Sequence, residues 1–149
     1  MSKPFKLQAI LDLAEQEAEK SAARLGSLNM KAQQVEAKLN LLLQYREDYV
    51  SRFRSGMRDD PRSPGWRNFH DFMDKLDAAI VQQRAVVDLA HEQMRRGQTE
   101  FRDRQRRVQA FDTLADRHNA AQTRLADRAE QRGFDELAAG TVRRRTGSA

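Results

Sequence analysis

Fourteen positions in the first third of the chain step by four and three residues without a break: Leu7, Leu11, Ala14, Ala18, Ser21, Leu25, Leu28, Ala32, Val35, Leu39, Leu42, Arg46, Tyr49 and Phe53. All but Ser21 and Arg46 are apolar, and this spacing is the 3.5-residue repeat of a left-handed coiled coil, not the two-residue alternation of a strand. Such a seam occupies only about two positions in seven, so the remaining surface of the helix must be polar. The composition agrees, with 33% charged residues, a mean hydropathy of −0.86 and only 7 Gly and 3 Pro. Disordered chains are also highly charged, but here 39% hydrophobic residues fall with helical regularity. The many alanines on the seam predict close helix approach and a thin core.

The helix built on this seam is expected over about residues 5–54, with Pro4 in its first turn, where a missing amide donor costs nothing. Residues 55–65 hold two of the three prolines and two of the seven glycines and are expected to turn the chain. The four-three stepping then resumes at Phe69, Met73, Leu76, Ile80, Gln83, Val87, Ala90, Met94, Gly97, Phe101, Arg104, Val108, Phe111, Ala115, His118, Gln122, Leu125 and Ala129. No proline follows Pro64, so one helix over about 66–138 is predicted, bending if anywhere at Gly97. Two such helices bury their stripes by folding back on one another. The fold class is therefore all-α: a single domain, 1–149, made of a long antiparallel two-helix coiled coil, a helical hairpin. Pairing Phe53 with Phe69 places Leu7 opposite Ala115, so residues from about Asp116 to Ala138 overhang without an intramolecular partner. The aperiodic tail at 140–149 is expected to be disordered.

Catalysis is disfavoured, because a coiled coil offers no concave pocket in which reacting groups converge. His70, His91 and His118 lie too far apart on such a fold to bind one metal, and there is no cysteine to form a thiolate site or a disulfide. No phosphate-binding loop or nucleotide fingerprint is present, so neither cofactor nor metal is expected. With no continuous apolar run, neither a signal peptide nor a membrane span is expected. Residues 1–93 carry 14 Lys/Arg against 14 Asp/Glu, and residues 94–149 carry 13 against 8, so the whole net charge of +5 lies in the last third. Arg102, Arg104, Arg106 and Arg107 keep a nucleic-acid-associated or scaffolding coiled coil open as the alternative class. Glu100, Asp103, Asp112 and Asp116 interrupt that run and no aromatic platform accompanies it, so nucleic acid is not the expected partner.

The turn-proximal stretch carries six of the ten aromatic residues, namely Tyr45, Tyr49, Phe53, Trp66, Phe69 and Phe72. Phe53, Trp66 and Phe69 suit a small core capping the hairpin end. Tyr45 and Phe72 lie one step off the seam, and for them and Tyr49 partner binding and internal packing weigh equally.

Several segments, taken in order and spacing, resemble the FliJ family, the small coiled-coil component of the bacterial flagellar export apparatus. They are Leu11-Asp12-Leu13-Ala14-Glu15, Gln33-Gln34-Val35-Glu36, Leu39 to Tyr49, Trp66-Arg67-Asn68-Phe69, Phe72 to Leu76, Ala79-Ile80 to Gln83, the Arg-rich run ending near Leu114, and Asp135-Glu136. The resemblance implies a non-enzymatic cytoplasmic stalk of type III protein export, peripherally associated with the inner membrane at the flagellar base. Its implied partners are the hexameric export ATPase, the cytoplasmic domain of the membrane export gate protein and the chaperones of export substrates. Gate contact would fall on Lys38, Leu42, Tyr45, Tyr49, Phe72, Leu76, Ala79 and Gln83. ATPase-ring contact would fall on Leu7, Leu11, Leu13, Arg117, Arg124, Leu125, Arg128 and Arg132, unless the overhang serves self-association instead.

Overall fold

The computed structural model describes residues 6–56 and 64–147. Two long helices pack against each other, α1 over Gln8–Gly56 and α2 over Pro64–Gly147. The Leu7 carbonyl accepts the Leu11 amide at 2.9 Å, which is the first turn of α1, three residues later than the start expected from sequence. The expected first-turn position of Pro4 and most of the expected turn, 57–63, lie outside the described residues; Ser55, Gly56, Pro64 and Gly65 are helical. Pro64 opens α2, where its fixed φ suits a first helical position.

The chain divides into two compact units, Glu19–Arg102 and Met1–Ala18 with Asp103–Ala149. In the first, the buried residues are Ser21, Ala32, Met73, Leu76, Ile80, Gln83, Val87, Ala90 and Gly97, every one of them a position of the four-three series. Met73, Leu76 and Ile80 form a core against Leu39, Leu42, Leu43, Tyr49, Val50 and Phe69. The register is the expected one, since Phe53 stacks on Phe69 with centroids 3.8 Å apart, and Arg46 reaches Asp77, Glu36 His91 and Arg24 Glu100 in antiparallel order.

The polar residues on this seam are accommodated in specific ways. Gln83 donates from Nε2 to the Val35 carbonyl oxygen at 2.9 Å, tying α2 to the backbone of α1. Arg46, the charged residue on the α1 series, is exposed, and its Nε donates to Asp77 Oδ1 at 2.7 Å. Among the described residues no buried side-chain nitrogen or oxygen lacks a partner.

Gly97 is a contact position rather than an interruption. α2 is a single helix through it, and a Cβ built there would stand 2.8 Å from Leu28 Cδ1 and 3.5 Å from Leu25 Cδ1. The missing side chain lets the two backbones approach, which offsets the helix propensity of about 1 kcal/mol that glycine forfeits.

In the second unit Leu11, Ala14 and Ala18 are buried on α1, and Val108, Phe111, Ala115, His118 and Gln122 are half-buried on α2. Glu17 Oε2 accepts from Arg104 Nη1 at 2.6 Å and lies 3.7 Å from Arg107 Nη1, so the seam arginine is neutralised from its flank. Past Gln122 burial stops: Leu125, Phe134, Leu137 and Val142 are 57–71% exposed. Loss of seam cover was expected from about Asp116; it sets in later, after Gln122, because His118 and Gln122 are still half-buried. The end of α2 also differs: residues 141–147, expected to be disordered, are helical. No proline breaks the segment, the Thr141 and Thr146 hydroxyls bond back to the Leu137 and Val142 carbonyls, and Arg144 and Arg145 in the last turn complement the helix dipole.

Gly97→Leu is expected to lower stability by about 1–3 kcal/mol through overpacking. Combined with Leu28→Ala, the loss should be smaller than the sum of the two single changes, as urea melts read by far-UV circular dichroism would show. Additive losses would mean that Leu28 is not what the new side chain meets.

Candidate functional site

All eight side chains assigned to gate contact fall in the Glu19–Arg102 unit, yet they are not equivalent. Tyr45 and Phe72 are exposed by 53% and 43%, Lys38 is exposed, and Leu42, Tyr49 and Ala79 are half-buried. Leu76 and Gln83 are buried, at 8% and 7%. Gln83 uses its amide on Val35, so it stands behind the surface as a seam residue rather than within it.

A shallow groove of about 270 Å³ is lined by Tyr45, Asp48, Tyr49, Arg52, Phe72 and Leu76. At its floor Tyr49 is packed from two sides, stacked on Phe69 at 5.6 Å and tilted against Phe72 at 4.4 Å. Phe69 in turn stacks on Phe53, which meets Trp66 at 5.7 Å, and Trp66 packs edge-on to His70. The six aromatic residues therefore divide. Phe53, Trp66 and Phe69 form the internal stack, Tyr49 joins that stack to the groove, and Tyr45 and Phe72 present ring surface to solvent. Asp48 and Arg52 also line the groove and were missed in the sequence reading; their spacing of three and seven residues from Tyr45 puts them on the same flank of α1.

The side chains assigned to ATPase contact all fall in the other unit. Leu11 is buried at 5%, Leu7 is half-buried, and Leu13 and Leu125 are exposed by 54% and 57%. Arg117, Arg124, Arg128 and Arg132 are exposed, and their steps of seven, four and four keep them on one side of α2. Asp116, Asp127 and Glu130, also exposed, fall on the neighbouring side by the same helical count, and Asp135 and Glu136, three and four residues after Arg132, interrupt the arginine side near its end.

Among the described residues, no cluster of three His, Cys, Asp or Glu could hold a metal ion, and no helix is long and apolar enough to cross a membrane. What the surface offers is contact: an aromatic groove in one unit, and in the other a basic stripe on a helix whose apolar side chains are uncovered.

Sequence comparison places these features in a family. The family model described as flagellar FliJ protein matches residues 2–147. The flagellar FliJ protein of Salmonella typhi is 32% identical over 132 residues, covering 89% of this chain and 90% of that protein. The Escherichia coli (strain K12) flagellar FliJ protein is 31% identical over the same length, with the same coverage of both chains. A match running from the first turn of α1 to the last turn of α2, with relatives aligned over nine-tenths of their own length, makes this chain a member of the flagellar FliJ protein family.

Proposed function

We propose that the chain is a non-enzymatic coupling stalk of flagellar type III protein export, binding the export ATPase ring and the cytoplasmic domain of the membrane export gate. The observation that carries the reading is the groove around Tyr45 and Phe72. Phe72 packs against Tyr49 and still shows ring surface, Tyr45 lines the same groove, and exposed aromatic anchors of this kind dominate binding energy at protein interfaces. The gate is assigned to that groove, with Leu42, Ala79 and Lys38 at its margin.

The ATPase ring is assigned to the basic side of α2 and to the first turns of α1. Four arginines on one face attract acidic loops over roughly the Debye length of 8–10 Å, and uncovered Leu125 and Leu13 supply apolar contact once they arrive. Chaperones of export substrates are further partners in this reading, which puts the protein in the cytoplasm and peripherally at the inner membrane.

Tyr45→Ala and Phe72→Ala should each weaken binding to the gate domain by about 1–2 kcal/mol, read by calorimetry, with helicity preserved. Gln83→Leu should leave that affinity unchanged while raising the melting temperature, because it removes a buried polar group whose partner carbonyl already belongs to a helix. Wild-type affinity in both aromatic variants would remove the groove from the gate interface.

Truncation after Ala115 tests the other assignment. It should reduce binding to the assembled ATPase ring by an order of magnitude or more while lowering the melting temperature only slightly, since the exposed Leu125, Phe134 and Leu137 leave little burial to lose. The reverse ranking, with melting strongly affected and ring binding retained, would reject ring contact through the end of α2.

A further inference from the structure

Seven large apolar side chains of the Glu19–Arg102 unit are exposed, and five of them, Leu41, Tyr45, Phe72, Val86 and Leu89, fall on one flank of the helix pair. Heptad spacing shows this. Arg24, Lys31, Lys38 and Tyr45 recur every seven residues on α1, as Phe72, Ala79, Val86, Gln93 and Glu100 do on α2. Arg24 is ion-paired with Glu100, which joins the two series on the same side of the seam. Leu41 and Leu89 lie next to these rows, four residues before Tyr45 and three after Val86. The opposite flank differs: one of its grooves, lined by Leu43, Arg46, Asp77, Ile80, Val81 and Arg84, is crossed by the Arg46–Asp77 ion pair, and Val81 is the large apolar side chain exposed there.

The cations on the apolar flank are uncommitted. Lys31, Lys38, Arg52 and Lys75 are exposed and, among the described residues, make no ion pair, while Asp48 is the acidic residue in their midst. An apolar strip bordered by free cations complements an apolar patch bordered by carboxylates.

Size points the same way. Between Tyr45 and Arg52 the groove covers about 10 Å of helix, which over the roughly 20 Å breadth of two helices gives about 200 Å² a side, far below a specific interface. Continued to Leu89 the strip is about 25 Å long, on the order of 500 Å² a side, which reaches the roughly 1,000 Å² total of a transient interface.

We propose that the docking surface of this unit runs on from the aromatic groove through Leu41, Val86 and Leu89, and that it receives a protein surface whose apolar patch is rimmed by carboxylates. The inference rests on the reading that the groove binds the export gate, and it extends that site along the helices with the chemistry the gate must present.

The test is binding of the full-length chain to the gate cytoplasmic domain, by calorimetry at low and high salt, with far-UV helicity checked for each variant. Val86→Ser with Leu89→Ser should weaken binding about tenfold or more, and Val81→Ser on the other flank should not change it. Lys31→Glu, Lys38→Glu and Lys75→Glu together should weaken it about tenfold at low salt and flatten its salt dependence. If the Val86/Leu89 variant binds like wild type while Tyr45→Ala does not, the extension is wrong and the gate reading stands. If wild type itself does not bind, the gate reading fails and takes the extension with it. Loss of self-association in the Val86/Leu89 variant, or capture of wild type by vesicles of anionic phospholipid with gate affinity unaltered, would assign the strip to a second copy or to a membrane and overturn the proposal.

Discussion

Everything in this protein depends on a seam so narrow that small residues must fill much of it. Ala14, Ala18, Ser21, Ala32, Ala90 and Gly97 are among its most buried positions. Two helices whose contact is built from such residues approach closely, and the attraction comes from many short dispersion contacts more than from large buried side chains. The larger apolar residues, Met73, Leu76 and Ile80 with Leu39 and Leu42, gather in one stretch and give the Glu19–Arg102 unit its only core cluster among the described residues. Polar residues on the seam then act as register marks. The Gln83 amide finds the Val35 carbonyl, and Arg46 finds Asp77, in a way that a helix slipped by one residue could not reproduce.

A two-helix seam leaves more than half of each helix facing water, and that is where the binding capacity lies. The ion pairs Arg24–Glu100 and Arg46–Asp77 and the Glu36–His91 hydrogen bond are partly exposed, and exposed ion pairs contribute at most about 1 kcal/mol each. They choose one alignment over others more than they hold the helices together. Tyr45, Val86 and Leu89, with the outer part of Phe72, in one unit and Leu125 with its neighbouring arginines in the other leave surface exposed to solvent.

The seam was legible before the structure because its repeat is written in the sequence: every buried residue described here falls on the four-three series, and the register followed from matching Phe53 to Phe69. Three things were not legible. Gly97 reads as a weak point from one helix alone, and only the opposing Leu25 and Leu28 reveal it as a place where a side chain has no room. Gln83 falls on the seam series and was also assigned to gate contact, and only its bond to the α1 backbone shows that the seam takes its amide. The division among the aromatic residues depends on who stacks on whom, which spacing cannot tell, so Tyr49 looked equivalent to Tyr45 although one is clamped and the other is bare. The end of α2 was set too early because an irregular basic sequence resembles a tail, whereas nothing in it forbids a helix.

The uncovered end of α2 has a bearing on how much of this protein a cell can hold. Leu125, Phe134 and Leu137 stand in water, and burying each would release roughly 1.5–3 kcal/mol against any apolar surface that fits. That free energy is available to the correct partner and to incorrect ones alike, other copies of the chain included. Mass action then favours the correct complex only while its partner is present in comparable amount. On the proposed reading, in which the ATPase ring covers this helix, three unburied side chains tie the protein's tolerable abundance to that of the ring.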